Sequence, residues 1–176
     1  MTGSRNYRFL MKYLPREIER SRRGRYPLTI LSCDIDFIKR INDSFGHAIG
    51  DEVLQGFVTR ASTCLRKPID WIARTGGQEF ILVLPKATLQ NGRRIAARLR
   101  LALNDPPIAT SSGPISLTVS IGVTALETNH ERGTITAAAA LLRAADLCLY
   151  ESKNQGRDCA TVASISHAAA LSAARL

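Results

Sequence analysis

Two aspartates, Asp34 and Asp36, follow a short apolar and partly β-branched run, Leu28–Cys33. The length and composition of that run predict a buried strand. A charged side chain at the end of a buried strand needs a partner, and a divalent cation is a natural one. Alternate residues of an extended chain point to opposite sides, so we expect the two carboxylates to have different roles. A turn or helix-cap aspartate is the alternative.

A glycine pair, Gly76-Gly77, stands between two apolar runs, Trp71–Arg74 and Phe80–Leu84. Two strands separated by such a turn are typical of a β-hairpin. Because glycine has no Cβ, the pair can bring the backbone close to a ligand, although many Gly-Gly hairpins are purely structural.

Two cations, Lys153 and Arg157, lie on either side of Gly156 at the end of a predicted helix. They suit phosphate oxygens, and the helix dipole explains them as well. Asn42-Asp43 and Gly46-His47 have the composition of turns.

Hydrophobic periodicity and Gly/Pro punctuation predict the elements that position these residues. Helices are predicted at Asn6–Arg23, Gly50–Leu65, Leu89–Leu103 and Thr136–Lys153, with Asp51 and Glu52 in the first turn of the second. Strands are predicted at Leu28–Cys33, Trp71–Arg74, Phe80–Leu84, Ile115–Val123 and Cys159–Val162. The order predicts an α+β fold with a central sheet of about five mostly antiparallel strands covered by helices. Residues 1–162 form this domain, and residues 163–176 form an Ala/Ser-rich tail.

The composition fits one globular domain, since 45% of the 176 residues are hydrophobic and 22% are charged. No apolar run approaches the roughly 20 residues of a membrane span. The cysteines lack metal-ligand spacing and are expected to be buried thiols in a reducing cytosol, which predicts a cytoplasmic protein. They are Cys33, Cys64, Cys148 and Cys159.

The chain is basic, with a net charge of +9 from 24 basic and 15 acidic residues. Much of the excess lies in Met1–Arg25, which holds eight Arg and Lys residues. Such a balance favours anionic partners, and a solvated basic helix face is the alternative. Nucleic-acid binding is a minor hypothesis, because the sequence shows no evident stacking platform for bases.

Four separated segments, taken together, resemble the GGDEF family of diguanylate cyclases over nearly the whole chain. The first is Asp34-Ile-Asp-Phe-Ile-Lys-Arg-Ile-Asn-Asp-Ser-Phe-Gly-His47 with Gly50-Asp51, which is similar to that family's nucleotide loop. The others are Ala73-Arg-Thr-Gly-Gly-Gln-Glu-Phe80, Val119-Ser-Ile-Gly-Val123, and Ala145-Asp146-Leu-Cys-Leu-Tyr150 with Lys153 and Gly156-Arg157. The opening Thr2-Gly3-Ser-Arg-Asn6 resembles the end of the family's first motif.

The resemblance implies a palm-like sheet, related to nucleotidyl cyclases and ferredoxin-like folds, that condenses two GTP molecules into cyclic di-GMP. It implies Mg²⁺ or Mn²⁺ as the cofactor and a homodimer, because each domain holds one GTP. It places metal on Asp34, the Ile35 carbonyl and Gln78, and catalytic roles on Gln78, Glu79 and Lys39. Its substrate contacts fall on Phe37, Ile38, Asn42, Asp51, Lys153 and Arg157, of which Asn42 and Asp51 would read the guanine edge.

The chain departs from the family pattern at the third signature residue, which is Gln78 where the family has Asp or Glu. An amide has no negative charge and takes up no proton, so we expect the loss to cost about 10²-fold or more in rate. The adjacent Glu79 is expected to point the other way in an extended hairpin.

The family's product-binding inhibitory site, Arg-x-x-Asp, is also altered. The chain has Arg66-Lys67-Pro68-Ile69-Asp70, so that Lys67 stands at the usual arginine offset. Product binding there, with Arg98 from the next helix, is one interpretation, and a surface salt bridge is the other.

Two functional hypotheses follow from the resemblance. The leading one is a diguanylate cyclase catalytic domain whose activity is reduced by Gln78. The alternative is a catalytically degenerate domain that acts as a GTP or cyclic di-GMP receptor. In either case the chain begins inside the family's opening motif, so we expect a sensory or dimerising domain to precede it.

Overall fold

The computed structural model describes residues 4–127 and 138–165, which form five helices and eight strands. The helices are α1 (Tyr7–Gly24), α2 (Ile38–Phe45), α3 (His47–Thr63), α4 (Leu89–Asn104) and α5 (Ala138–Asn154). The strands are β1 (Arg5–Asn6), β2 (Leu28–Ile35), β3 (Trp71–Arg74), β4 (Glu79–Pro85), β5 (Ile108–Thr110), β6 (Gly113–Ile115), β7 (Val119–Leu126) and β8 (Ala160–Val162).

Six strands form one mixed sheet in the order β1-β3-β4-β2-β7-β8. The three inner pairs are antiparallel, whereas the edge pairs β1–β3 and β7–β8 are parallel. The predicted α+β fold is therefore confirmed, with one strand more than expected in the central sheet and a separate two-stranded sheet of β5 and β6. The additional strand is Arg5–Asn6, which is too short to show a hydrophobic pattern.

Helices cover both faces of the sheet, and β2 runs through the middle with all eight residues buried. Leu28 and Ile30 pack on one face in a cluster with α1 and α5. Leu31 and Cys33 pack on the other face in a cluster with α2, α3 and α4. A strand that is buried on both faces has a continuous apolar sequence, and this is why Leu28–Cys33 could be predicted as a strand.

Helix α1 begins and ends within one residue of its prediction. The side chain of Asn6 caps it by accepting a hydrogen bond from the Phe9 amide at 2.9 Å. Leu10, Leu14 and Ile18 line its buried side at helical spacing. Arg25 ends the helix in the left-handed conformation, with φ of 51°.

The segment after β2 differs from the prediction. β2 continues through Ile35, so Asp34 lies within the strand and not after it. Asn42-Asp43 belongs to α2 and not to a turn, and α3 begins at His47, which moves Asp51 out of the first helical turn. Asn and Asp are weak helix formers, and their propensity is overridden here by packing against the core. Gly46 separates α2 from α3 with φ of 84°.

The remaining predicted elements hold with smaller changes. The strand predicted at Ile115–Val123 is two strands: β6 pairs with β5 in a separate two-stranded sheet, and β7 lies in the six-stranded sheet. The predicted start of the last helix, Thr136, and most of the tail, residues 166–176, lie outside the described residues. Three of the four cysteines are buried as expected, and Cys159 is half-buried.

Helix α5 crosses β7 with its backbone in contact with Gly122. A Cβ on Gly122 would lie 2.0 Å from the Ala145 carbonyl oxygen and 2.2 Å from the Leu149 nitrogen. Only glycine allows this approach, and it sets the distance from α5 to the sheet. No helix among the described residues is long and apolar enough to cross a membrane.

Candidate active site

The strand register brings two carboxylates to one side of the sheet. Asp34 on β2 is the direct partner of Glu79 on β4. Directly opposed residues of an antiparallel pair project from the same face, so the two side chains are neighbours. Gln78 lies in the bend before β4, where its carbonyl accepts a hydrogen bond from the Ile35 amide at 3.3 Å.

The Asp34 carboxylate forms an ion pair inside the protein. Its side chain is only 6% exposed, and Oδ2 lies 2.8 Å from Nζ of Lys153, near the end of α5. Lys153 was predicted to neutralise phosphate, and the structure brings it to the carboxylate predicted to hold metal. Lys153 is carried by α5, the helix that packs closely on Gly122.

A cleft of about 650 Å³ opens beside this pair, between α1, α5 and the sheet. Its lining includes Glu79, Lys153 and Asp146. Asp146 accepts a hydrogen bond from Ser32 Oγ at 2.8 Å. Burial raises the pKa of Asp146, and the Ser32 hydrogen bond and Lys153 oppose that rise. The sequence analysis placed Asp146 in a family motif but gave it no role. The signal that could have found it is an acidic residue next to the buried apolar positions Ala145 and Cys148 of α5.

The hairpin between β3 and β4 is closed by a side chain that the sequence analysis did not single out. The guanidinium of Arg74 donates to the Gly76 carbonyl at 3.2 Å and to the Gly77 carbonyl at 2.7 Å. A Cβ on Gly76 would lie 2.7 Å from Oε2 of Glu79, so glycine leaves room for that carboxylate. The turn therefore holds Glu79 at the cleft.

A second group of polar residues lies where α2 meets α3. Asn42 packs against Gly50, and a Cβ on Gly50 would lie 1.8 Å from Oδ1 of Asn42. That oxygen is buried and has no hydrogen-bond partner among the described residues. The next residue, Asp51, is exposed. The contact thus places Asn42 against the residue that directly precedes Asp51 on α3.

Two turns with left-handed backbone adjoin the end of β2. Phe37 has φ of 57°, and its half-exposed ring lies 4.7 Å from the Arg40 guanidinium carbon and 5.1 Å from that of Arg157. Arg157 itself has φ of 66°. Such a conformation costs about 1–2 kcal/mol for a residue with a Cβ, so each turn is held by its surroundings. Of the neighbouring predicted residues, Ile38 is buried and Lys39 is exposed on α2.

Two of the residues predicted for product inhibition, Arg66 and Asp70, are paired with each other. Arg66 makes two hydrogen bonds to the buried Asp70 carboxylate, at 2.7 and 3.0 Å, and a third to the Pro85 carbonyl at 2.7 Å. The hydrogen bonds that Arg66 donates to the Asp70 carboxylate raise the pKa of Arg66. Arg98 donates to the Cys64 carbonyl, and Lys67 is exposed. Arg66 and Asp70 therefore form the salt bridge that the second interpretation expects.

Comparisons with known proteins agree with this architecture. A family model described as "Diguanylate cyclase, GGDEF domain" matches residues 1–159. This chain belongs to the GGDEF domain family. Diguanylate cyclase DgcP of Pseudomonas aeruginosa is 40% identical over 158 residues, which cover 90% of this chain and 22% of DgcP. The chain thus spans about a fifth of that relative's length.

Solved GGDEF domains share the fold. The GGDEF domain of YfiN from Pseudomonas aeruginosa is 33% identical, with a TM-score of 0.83 over 93% of this chain and 98% of that one. The active GGEEF domain of a diguanylate cyclase from Vibrio cholerae is 30% identical, with a TM-score of 0.79 over 89% of this chain and 96% of that one. Its name gives Glu at the signature position that Gln78 occupies here.

The oxygen atoms of this GGDEF domain suit a hard divalent ion. The described residues contain no group of three or more His, Cys, Asp and Glu side chains that could hold a metal. They do offer the buried Asp34 carboxylate, with Glu79 opposite it in the register and Gln78 next along the chain. Carboxylate, amide and carbonyl oxygens are the ligands that Mg²⁺ and Mn²⁺ prefer. One or two carboxylates are enough for Mg²⁺ when substrate phosphates complete its shell.

Proposed function

We propose that this GGDEF domain is a diguanylate cyclase catalytic domain, which condenses two GTP molecules into cyclic di-GMP. The observation that supports it best is the meeting of Asp34, Glu79 and Lys153 at one end of the sheet. This arrangement combines carboxylates for a cation with a lysine for phosphate. The name of DgcP, which covers 90% of the chain, supports the same chemistry.

In this proposal, Asn42 and Asp51 recognise guanine. The carboxylate of Asp51 accepts from the N1–H and N2–H₂ donors of guanine, which adenine does not present in that pattern. The buried contact with Gly50 holds one end of the Asn42 amide, and the other end is left for the base. GTP is therefore expected to bind much better than ATP.

The phosphates are assigned to the cations around the two turns. Lys39 on α2 and Arg157 after α5 are exposed, and Arg157 stacks on the Phe37 ring. The main chain at Phe37 and Ile38 begins α2, where free amide groups favour anions. Lys153, which pairs with Asp34, is the third cation of this assignment.

Asp34, the Ile35 carbonyl and Gln78 would hold Mg²⁺ or Mn²⁺, with Glu79 beside them. Bound there, the ion would polarise the α-phosphate and lower the pKa of the attacking 3′-hydroxyl. Gln78 weakens such a site because it contributes no charge and accepts no proton. The proposed cyclase is therefore slower than one with a carboxylate at that position.

Catalysis in this proposal requires a homodimer, because each domain holds one GTP and the reaction joins two. A sensory or dimerising domain that precedes this chain would bring two copies together, in the cytoplasm where GTP is available. For product inhibition, Arg66 is engaged by Asp70 while Lys67 beside it is exposed, and we propose weak cyclic di-GMP binding at Lys67. Arg98 would contribute only if it released the Cys64 carbonyl.

Gln78 also supports a second candidate, a receptor that binds GTP or cyclic di-GMP without turnover. The test measures product formation and GTP affinity on the same sample, fused to a coiled-coil dimeriser, with Mg²⁺ and with Mn²⁺. Product formed from GTP supports the cyclase. GTP binding without product supports the receptor, and the absence of both refutes the two proposals together.

A further inference from the structure

Asp36 is a buried carboxylate that the proposed chemistry leaves without a role. Its residue is only 4% exposed, and three donors surround it. Oδ1 accepts from Ser120 Oγ at 2.7 Å, and Oδ2 accepts from Thr118 Oγ1 at 2.8 Å and from the Asp158 amide at 3.2 Å. Both oxygens are therefore engaged within the protein, which distinguishes Asp36 from Asp34.

The third donor ties Asp36 to a distant and strained turn. Gly156, Arg157 and Asp158 are three consecutive residues with left-handed backbone, at φ of 105°, 66° and 43°. Two of them carry a Cβ, so the turn persists only because other contacts impose it. The Asp158 side chain is also held, by Arg100 at 3.1 Å.

The same turn sets the position of Arg157. Its guanidinium lies 5.1 Å from the Phe37 ring, and Phe37 follows Asp36 directly in the chain. Asp36 is thus connected to both sides of this stack. Its residue directly precedes Phe37 in the chain, and its carboxylate anchors the turn that carries Arg157. Asparagine at position 36 keeps the shape but removes the charge and replaces one accepting oxygen by an NH2 donor, so it cannot accept from donors on both sides.

We propose that Asp36 is a positioning residue that holds Arg157 at the phosphate end of the nucleotide site. This inference rests on the proposed function, in which Arg157 binds GTP phosphates. Asp36 itself touches neither nucleotide nor metal, because its oxygens are occupied by Thr118, Ser120 and the Asp158 amide.

The test compares Asp36→Asn with the control Asp43→Asn, which removes an exposed charge on α2. Calorimetry measures the affinities for GTP and for GMP, which lacks the β- and γ-phosphates. We expect Asp36→Asn to weaken GTP binding by about tenfold or more, as outer-shell changes commonly do, and GMP binding by less than about twofold. Equal losses for both nucleotides, or no loss of GTP affinity, overturn the proposal.

A double-mutant cycle separates positioning from a general structural effect. If Asp36 acts through Arg157, then adding Asp36→Asn to Arg157→Ala weakens GTP binding by less than about twofold further. Independent, additive losses contradict the proposal. Ser120→Ala provides a milder variant if Asp36→Asn does not fold, and we expect the same preference for GTP loss over GMP loss.

A third measurement needs no nucleotide. Hydrogen exchange at the Asp158 amide is expected to be slow in the parent protein and faster in Asp36→Asn, because the amide loses its charged acceptor. Unchanged exchange refutes the positioning role. If exchange increases but the parent protein binds no GTP, the proposed function fails while the anchoring of the turn stands.

Discussion

Replacing Gly50 by Ala tests the guanine site without removing any polar group. The added Cβ would lie 1.8 Å from Oδ1 of Asn42 and 3.0 Å from its Cγ. Contacts under 3 Å are not tolerated between such atoms, so the Asn42 side chain has to rotate out of its buried position. Because Asn42 can rotate, the overpacking is relieved in the side chain and not in the backbone of α3.

The magnitude follows from the bond that is lost. If Asn42 hydrogen-bonds guanine, its displacement costs about 1–3 kcal/mol of binding free energy. That range corresponds to a loss of GTP affinity of about fivefold to 150-fold. The stability of the free protein should change by less than about 1 kcal/mol, because alanine improves helix propensity while the rotation exposes an amide.

The same helix offers a matched control. A Cβ on Gly56 would lie 2.5 Å from Cγ2 of Ile108, in the core and away from Asn42. We expect Gly56→Ala to lower stability by about 1–3 kcal/mol and to leave GTP affinity unchanged. Calorimetry with GTP and urea denaturation are measured for both variants. If Gly50→Ala binds GTP as tightly as the parent protein, Asn42 does not read the base and the guanine assignment is wrong.

Four further changes test other parts of the proposal. Asp51→Ala should lower GTP affinity by a factor equivalent to about 1–3 kcal/mol, and unchanged calorimetric affinity would remove Asp51 from the guanine site. Asp34→Asn should abolish the effect of Mg²⁺ on nucleotide affinity while the fold is kept; identical metal titrations would return Asp34 to a structural role. Gln78→Glu should raise the initial rate of cyclic di-GMP formation by about 10²-fold or more in a dimerised fusion, because the added charge stabilises the metal in the transition state. Equal rates for the two proteins would show that Gln78 does not reduce activity. Gly122→Ala should lower the free energy of unfolding by about 3 kcal/mol or more in urea denaturation, because its Cβ meets the α5 backbone, and a smaller loss would show that α5 can shift.

The elements that could be predicted are those specified by neighbours in the sequence. Helix α1 shows its apolar spacing over 18 residues with its cap, Asn6, directly before them, and the hairpin shows its glycine pair between two apolar runs. Helix α2 was missed because Asn42, Asp43 and Ser44 favour turns, and because Ile38 and Ile41 gain their helical preference only from the core beneath them.

The candidate site divides in the same way. The residue types around Asp34, Asn42, Gln78 and Lys153 were visible in the sequence, and their resemblance to one family indicated the chemistry. Their partners were not visible. The register between β2 and β4, for example, makes Glu79 the direct partner of Asp34, a pairing that the sequence did not show.

The sequence by itself determined the family, the order of the longer elements and the set of polar residues available for chemistry. The tertiary structure decided which of them meet. Asp36 reaches an amide 122 residues away, and Ser32 reaches Asp146 across 114 residues. Such contacts depend on strand register, on the approach of α5 to Gly122 and on the packing of Asn42 against Gly50. Local patterns carry no information about them, because they are set by the shapes of distant side chains in one shared core.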